Sequence, residues 1–299
     1  MVIQWYPGHM AKARRMLIEN LKLIDVVVEL VDARAPLSTG NPDFDDLFQN
    51  KKRLLVLNKS DLADANVTRR FIQYYSERSI PAVPFVSTGG NKKAVISLIE
   101  GAASESVEKM RQKGIQKTVR VMIVGIPNVG KSTFINRIAG EARAKTGDMP
   151  GVTRGKQWVK ITPYLELMDT PGLLWPKLDN ERYAQRLAFL GSIKDDIMDM
   201  ETLAGLLLVT LRQKCAEALQ ARYPKVTKET EEDALLQEVA RSRGFLLPGN
   251  EADTERAARI VLDEFRAGRI ARVTLDDPDE PEQPAKAPET GEEPHGEDR

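Results

Sequence analysis

The chain has 299 residues, of which 41% are hydrophobic and 29% are charged, a composition typical of a globular protein with a buried core. No apolar run is long enough to cross a bilayer, and the single cysteine, Cys215, excludes an internal disulfide and fits a reducing compartment. The net charge of zero hides an asymmetry, because residues 276–299 hold ten acidic and two basic side chains, whereas residues 1–275 hold 34 and 42. A basic body of this kind favours a polyanionic partner.

Residues 1–174 alternate short, valine-rich apolar runs with segments of helix length. Unbroken apolar runs are typical of strands that are buried on both faces of a parallel sheet. The predicted strands are Val26–Val31, Leu54–Leu57, Val83–Val86, Val119–Val124, Gln157–Ile161 and Tyr164–Met168, of which the last two form a hairpin. Helices are predicted between strands at Val67–Arg78 and Lys92–Met110. This alternation predicts an α/β fold with a doubly wound sheet.

Residues 175–275 have a different pattern, with helical periodicity and few strand signals. The predicted helices are 181–193, 201–222, 229–243 and 252–268. The last of them carries an apolar stripe at helical spacing, so we expect a small all-helical domain. The remaining segment, 276–299, is rich in proline and acidic residues with almost nothing apolar, and we predict that it is disordered.

The sequence GIPNVGKS at residues 125–132 matches the phosphate-binding pattern GxxxxGK[ST], between a predicted strand and a predicted helix. Gly125 and Gly130 let backbone N–H groups close around phosphates, Lys131 brings a charge to the β- and γ-phosphates, and the Ser132 hydroxyl is a ligand for Mg²⁺. A chance glycine-rich loop is the alternative, which this context disfavours. The residues predicted to bind nucleotide here are Asn128, Val129, Gly130, Lys131, Ser132 and Thr133.

The sequence NKSD at Asn58–Asp61 favours guanine over adenine. An Asp61 carboxylate accepts hydrogen bonds from guanine N1–H and the 2-amino group, donors that adenine lacks. We expect Asn58 to contact the base edge and the Lys59 stem to cover the base face, at the sheet edge where ligands bind. STGG, at Ser87–Gly90, follows another strand and would support the base through backbone groups. The predicted guanine site comprises Asn58, Lys59, Ser60, Asp61, Ser87 and Thr88.

Two further motifs complete the set that a GTPase requires. In DTPG at Asp169–Gly172, Asp169 is predicted to hold Mg²⁺ through water, and the Gly172 N–H to reach the γ-phosphate. In PGVT, the Thr153 hydroxyl would complete the Mg²⁺ shell that Ser132 begins. Lys131, Thr153 and Gly172 are therefore expected to take part in hydrolysis. Each motif alone has a structural explanation, but together they predict binding of GTP, GDP and Mg²⁺.

The motifs stand in a circularly permuted order. In most GTPases the phosphate loop comes first and the guanine motif late, whereas here NKSD and STGG precede GIPNVGKS, PGVT and DTPG. The permutation is tolerable because every contact comes from a loop on one edge of the sheet, whatever the chain order. It also makes DTPG lead directly into the helical region, so we expect the nucleotide state to be connected to that region.

With this order, the opening QWYPGHMAKA (Gln4–Ala13) and VDARAP (Val31–Pro36), the chain resembles the YlqF/RbgA family of circularly permuted ribosome-biogenesis GTPases. The resemblance covers roughly residues 1–275. It implies late assembly of the large ribosomal subunit, a helical domain that contacts ribosomal RNA, and a catalytic role for His9. Anchoring of the first helix is the alternative role for PGHM. Because mitochondrial relatives carry a leading extension and this chain starts at the motif, we expect a bacterial cytoplasmic protein.

Three residues in the motifs bear on the rate of hydrolysis. Leu173 stands where well-studied GTPases have a glutamine that orients the attacking water, so slow intrinsic turnover is expected. The other histidine, His295, lies in the acidic tail, which leaves His9 as the only imidazole in the predicted domains. Asn128 suggests a bound K⁺ beside the phosphates, because some GTPases with asparagine at this position bind potassium.

Basic clusters in the sequence are suited to phosphate contacts, with a solvated face as the alternative. They comprise Lys12, Arg14, Arg15, Lys22, Lys51–Arg53, Lys109, Arg111, Lys113, Lys117, Arg120 and, in the last helix, Arg259, Arg266, Arg269 and Arg272. The function expected from residues and resemblance together is a GTP-driven assembly factor for the large ribosomal subunit. A GTPase switch that regulates a protein partner through its helical domain is the alternative, and NKSD disfavours an ATP-dependent kinase.

Overall fold

The computed structural model describes residues 3–4, 7–89, 92–140, 157–174, 177–178, 180–193 and 199–280, with the backbone alone for 3–4, 7–10 and 177–178. Its strands are β1 (Ile3–Gln4), β2 (Val26–Asp32), β3 (Lys52–Asn58), β4 (Ala82–Phe85), β5 (Val119–Val124), β6 (Gln157–Thr162), β7 (Leu165–Asp169) and β8 (Lys177–Leu178). Six of them form one sheet in the order β4-β3-β2-β5-β7-β6, and β1 pairs with β8. Within the larger sheet only β6 runs antiparallel to its neighbour, as the predicted hairpin requires.

The described helices lie on the sheet and beyond it. They are α1 (Pro7–Leu21), α2 (Pro36–Thr39), α3 (Asp43–Phe48), α4 (Ala65–Glu77), α5 (Lys92–Arg111), α6 (Lys131–Ala139), α7 (Glu181–Phe189), α8 (Met200–Arg222), α9 (Leu235–Arg243) and α10 (Thr254–Arg266). Side-chain caps fix several starts: Asp64 accepts from two N–H groups of α4, and Asn180 does the same for α7. None of the helices in the described ranges is long and apolar enough to span a membrane.

The central position of β2 decides where the motif ends meet. Every residue of β2 is buried, because the strand has β3 on one side and β5 on the other. The register pairs Val26 with Lys52 and continues to Asp32 opposite Asn58. The last residue of β2 therefore lies beside the first residue of NKSD, at the carboxyl edge of the sheet.

The predicted elements agree with the structure apart from their ends, and the structure adds two short helices and the two-residue strands β1 and β8. The mixed α/β sheet with helices after it confirms the predicted fold class. The helix predicted for 229–243 begins only at Leu235, after a single 3₁₀ turn at Glu232–Ala234. The sequence did not indicate α2 or α3.

The hydrophobic core has a sheet part and a helical part, which meet at α7. Ala184 and Leu187 of α7 pack with the buried strand residues, whereas Ala188 and Phe189 pack with α8, α9 and α10. The helical part also contains a buried polar cluster around Glu264. A boundary at residue 174 thus falls just before a helix that contributes to both parts, and it stays a prediction.

Glu264 of α10 is the centre of that polar cluster. It accepts hydrogen bonds from Arg222 Nε and the Tyr223 hydroxyl, both at 2.8 Å, and from Arg243 of α9. Burial by itself would raise the pKa of Glu264, but the hydrogen bonds and charges of these partners bring it below its usual range. One carboxylate therefore ties three helices together.

The prediction that disorder begins at Asp276 is wrong for residues 276–280. Asp276 is 1% exposed, and its carboxylate pairs with Arg186 at 2.7 Å. It also accepts from the backbone N–H of Ser38 at 2.8 Å and from the Ser38 hydroxyl at 2.7 Å. Glu280 pairs with the same arginine. Composition missed this contact because the partners of Asp276 lie far away in sequence. Residues 281–299 lie outside the described residues.

Candidate nucleotide site

The loop between β5 and α6 has the backbone that a phosphate site needs. Gly125, Asn128 and Gly130 have φ angles of 146°, 59° and 98°, a region that favours glycine. A Cβ atom on Gly125 would lie 2.5 Å from the carbonyl oxygen of Leu30, and one on Gly130 would lie 2.5 Å from Asn58 Nδ2. Neither glycine can therefore carry a side chain. The loop leads directly into the N-terminus of α6, which favours a bound anion.

Lys131 is buried in this loop. Its Nζ donates to the carbonyl oxygens of Gly125 at 3.0 Å and Ile126 at 2.8 Å. Burial lowers the pKa of Lys131 to about 8, although the negative charge of Asp169 opposes the change. The predicted phosphate-binding ammonium thus lies within the loop itself, and its protonation is sensitive to nearby negative charge.

Two of the three predicted magnesium ligands lie side by side. Ser132 Oγ donates to Asp169 Oδ2 at 2.8 Å, and Asp169 is 1% exposed at the end of β7. Hydroxyl and carboxylate oxygens are the donors that Mg²⁺ prefers, usually with few protein ligands and the rest from phosphates and water. The described residues contain no group of three or more His, Cys, Asp or Glu side chains placed to hold a metal. Thr153 lies outside the described residues.

The DTPG loop packs directly on the phosphate loop. A Cβ atom on Gly172 would lie 2.6 Å from the backbone nitrogen of Pro127, so only glycine allows this approach. The next N–H, that of Leu173, donates to the Gly125 carbonyl oxygen at 3.2 Å. The Leu173 side chain is 3% exposed and packs in the sheet core, so it has no contact with an attacking water.

Asn58 joins three of the predicted loops. Its Nδ2 donates to the carbonyl oxygen of Val129 at 2.8 Å, and its Oδ1 accepts from Ser87 Oγ at 2.9 Å. The neighbouring Ser60 donates through its backbone N–H to Phe85, at the end of β4, at 3.2 Å. The amide of Asn58 therefore holds NKSD, STGG and the phosphate loop together, a role that the sequence did not indicate. Its contact with a base stays a prediction.

Lys59 reaches across the site to the phosphate loop. Its Nζ donates to the carbonyl oxygen of Asn128 at 3.0 Å and lies 3.0 Å from Asp32 Oδ2. Asp61, by contrast, is exposed, so its carboxylate is accessible to a base. The Asn128 side chain donates from Nδ2 to the carbonyl oxygen of Gly191, just beyond α7, at 2.6 Å. The phosphate loop is thereby hydrogen-bonded to both the guanine motif and the helical region.

The remaining predicted residues differ in how far they are buried at the site. Val129 is buried in the core and contributes its carbonyl group, whereas Thr88 and Thr133 are exposed. His9 belongs to the first turn of α1, and its side chain lies outside the described residues. The roles assigned to His9 and Thr133 stay predictions.

Asp32 and Arg34 were missed as site residues. The available signal was the motif VDARAP, which contains both residues and contributes to the family resemblance. Asp32 is 2% exposed and pairs with Arg34 at 2.8 Å and with Lys59 at 3.0 Å. Burial by itself would raise the pKa of Asp32, but these two positive charges and the hydrogen bonds from Arg34 bring it well below its usual range. Asp32 is therefore ionised at neutral pH.

Comparison with known proteins gives consistent matches. A family model described as "50S ribosome-binding GTPase" matches residues 120–236. The chain is 47% identical to "Ribosome biogenesis GTPase A" of Priestia megaterium, over 95% of this chain and 100% of that protein. It is 44% identical to the protein of that name from Bacillus cereus, over 94% and 95%. The crystal structure of GNP-bound YlqF from T. maritima superposes with a TM-score of 0.65 at 26% identity, over 90% of this chain and 99% of that chain.

Proposed function

This chain belongs to the Ribosome biogenesis GTPase A family, and from that premise we propose that it hydrolyses GTP to promote assembly of the large ribosomal subunit. The observation that carries the proposal is the meeting of NKSD and GIPNVGKS in one site. In the guanine motif, Asn58 donates a hydrogen bond to Val129 and Lys59 donates one to Asn128. Both acceptors belong to the phosphate loop, although about seventy residues separate the two motifs. A site that selects guanine and holds phosphates is the core of a GTPase.

The proposed roles of the site residues follow from their positions. Asp61 accepts from the guanine base, Lys131 neutralises the phosphates, and the Gly172 N–H bonds the γ-phosphate. Ser132, Asp169 and Thr153 would hold Mg²⁺, which neutralises charge on the phosphates when it is bound. These assignments are supported by the contact between Ser132 and Asp169 and by the packing of Gly172 against Pro127.

Potassium is the second proposed cation. The Nδ2 atom of Asn128 donates to Gly191, so the amide oxygen is the atom through which Asn128 would bind K⁺. A cation there would supply positive charge beside the phosphates, where other GTPases use an arginine. The proposal rests on the residue type and on the place of Asn128 in the phosphate loop.

Binding to ribosomal RNA is the finer part of the proposal. Its support is a group of exposed basic side chains, of which Lys12, Arg14 and Arg15 lie on α1 and Lys22 directly follows it. Not every predicted basic side chain is available to contact phosphates. Arg53 is paired with Glu29, and Arg266 donates to backbone carbonyl groups of α7. The cytoplasm is the proposed place of action, in keeping with assembly of bacterial ribosomes.

The decisive measurement is GTP turnover with and without purified large ribosomal subunits. We expect slow turnover by the protein alone and stimulation by the subunits, and absence of stimulation would contradict a role on the ribosome. His9→Ala should retain GTP binding and co-sedimentation with subunits but lose most of the stimulated rate. His295→Ala, which alters the only other histidine, is the matched control and should behave as wild type. A fully stimulated His9→Ala enzyme would leave PGHM as an anchor only.

A further inference from the structure

The motif VDARAP at Val31–Pro36 has no part in the nucleotide chemistry above, although it begins with the last two residues of β2, beside NKSD. Its arginine, Arg34, is 2% exposed and among the largest fully buried side chains in the described residues. Arg34 holds Asp32 in a bidentate pair, with Nε 2.9 Å from Oδ1 and Nη2 2.8 Å from Oδ2. A planar, two-point contact of this kind fixes both side chains in direction as well as distance.

The same guanidinium contacts the helical part of the protein. Arg34 Nη1 donates to the carbonyl oxygen of Arg266 at 3.1 Å, and Phe265 offers a second carbonyl oxygen at 3.4 Å. These are the last two residues of α10, whose final carbonyl groups attract a positive charge. Arg34 is therefore held by the end of a helix and by Asp32 at once.

Asp32 in turn holds the guanine motif. Its Oδ2 accepts from Arg34 and lies 3.0 Å from Lys59 Nζ. Lys59 has a φ of 57°, so its backbone is in a conformation that non-glycine residues adopt only when their surroundings fix it. A change in the position of Arg34 would be felt at Lys59, because both share one buried carboxylate.

A second set of contacts also links the guanine motif to the end of α10, so that the two sets together form a closed circuit. Lys59 donates to the carbonyl oxygen of Asn128, whose side chain donates to Gly191. A Cβ atom on Gly191 would lie only 3.2 Å from Arg266 Nε, so this residue is seated against the Arg266 guanidinium. That guanidinium donates to the carbonyl oxygens of Ala188 and Phe189 at 2.9 and 3.0 Å. The circuit therefore returns to the residue whose own carbonyl accepts from Arg34.

We propose that Arg34 and Asp32 are positioning residues, which set Lys59 and thereby guanine-nucleotide affinity according to where the end of α10 lies. Displacement of α10 would remove the carbonyl partners of Arg34 and loosen the pair that holds Lys59. By reciprocity, a nucleotide that is held by Lys59 stabilises the contact between Arg34 and α10. The coupling rests on the guanine site of the proposed function but requires no ribosome.

The first test compares two arginines that each pair with a buried carboxylate and lie over an aromatic ring, with the side chain of Arg34 2% exposed and that of Arg243 26% exposed. Arg34 pairs with Asp32 and lies 5.5 Å from the Phe265 ring centre, while Arg243 pairs with Glu264 and lies 5.4 Å from that of Tyr223. Arg34→Met and Arg243→Met should both lower the urea midpoint. Only Arg34→Met should weaken binding of a fluorescent GDP analogue, by about tenfold. Equal GDP affinity in the two variants would overturn the proposal.

A double-mutant cycle tests whether Arg34 acts through Lys59. If it does, Arg34→Met should weaken GDP binding far less in a Lys59→Met background than in the wild type. Fully additive losses would show that the two residues act independently and would overturn the circuit. A wild-type protein that failed to bind GDP would overturn the proposed function as well. Normal wild-type binding together with an unaffected Arg34→Met variant overturns the coupling alone.

Hydrogen exchange gives a measurement on the unaltered chain. GDP should slow amide exchange in the last turn of α10 and around Gly191, although neither segment belongs to the predicted nucleotide contacts. The conservative variant Arg34→Lys, which keeps the charge but not the two-point contact, should lose this protection while remaining folded. Unchanged exchange on addition of GDP to the wild type would contradict the proposal.

Discussion

At the scale of single residues, buried polar groups at the sheet edge define the site. The Asn58 amide hydrogen-bonds Val129 and Ser87, and the Asp32 carboxylate forms ion pairs with Arg34 and Lys59. Such groups are stable only while each has its partners, because an unpaired buried charge is costly. These contacts therefore fix the loops that carry the motifs relative to one another without a ligand.

Lys131 leads to a prediction about protons. With a pKa of about 8, its ammonium is mostly charged at pH 7 and mostly neutral at pH 9. A bound diphosphate favours the charged form of Lys131. GDP binding should therefore be accompanied by uptake of close to one proton at pH 9 and of only a small fraction of a proton at pH 7. Calorimetry in two buffers with different ionisation enthalpies measures this uptake. An uptake that is the same at both pH values would contradict the burial argument.

The same shift has a consequence for stability without nucleotide. The folded pKa lies below the value of 10.5 for an unperturbed lysine, so the unfolded chain binds more protons between about pH 8 and 10.5. The contribution of Lys131 to the free energy of unfolding should therefore rise with pH across this interval. The difference in urea midpoint between wild type and Lys131→Met, followed from pH 7.5 to 10, isolates that contribution.

At the scale of elements, the site is built from loops that follow adjacent parallel strands. NKSD and DTPG begin with the last residues of β3 and β7, and GIPNVGKS directly follows β5. In a parallel sheet these ends share one edge, so chain order does not affect the contacts. Between Gly172 and Pro127 the two loops approach backbone to backbone.

Gly172→Ala tests this approach. The added methyl group would lie within 2.6 to 2.9 Å of three Pro127 atoms, so one loop must shift. We expect at least a tenfold loss of GTP turnover with little change in stability, because the shift is confined to the loops. Gly101→Ala, in α5 with open space around it, is the matched control and should hydrolyse GTP normally. Normal turnover by Gly172→Ala would show that DTPG does not act through this contact.

At the scale of the whole molecule, the chain returns to the sheet after α10. Gly268 lies against Leu62, just after NKSD, where a Cβ atom would come within 2.6 Å of a Leu62 methyl carbon. Leu275 N–H then donates to the Arg34 carbonyl oxygen at 2.6 Å, and Asp276 reaches Ser38 and Arg186. The C-terminal segment thus covers the loops after β2 and β3.

Truncation separates this segment from the rest of the tail. Removal of 276–299 should destabilise the protein by about 3–5 kcal/mol, because it leaves the buried guanidinium of Arg186 without its carboxylates. Removal of 281–299 alone should change stability by less than about 0.5 kcal/mol. Urea unfolding compares the two, and equal midpoints would mean that Asp276 and Glu280 do not hold the segment.

The sequence by itself determined the class of fold, the permuted order and the nucleotide chemistry. Those features are local: a phosphate loop needs glycines and a lysine at fixed spacing, and guanine selection needs a carboxylate after a buried strand. The apolar runs of β2 and β5 identify strands without knowledge of their neighbours. The comparisons with relatives confirmed the fold class, the permuted order and the GTPase family, whereas the roles of the individual site residues and the binding of Mg²⁺ and K⁺ stay predictions.

Only the tertiary structure decided how these motifs are fixed to the helical region. Arg34 finds its carbonyl partners 231 and 232 residues further along the chain, and Ser38 finds Asp276 at a separation of 238. Composition indicated disorder from Asp276 onward, because a count of charged residues does not show which carboxylate pairs with a buried arginine in the folded chain. The worth of a charge depends on its partner and on its exclusion from water, and both are properties of the folded chain.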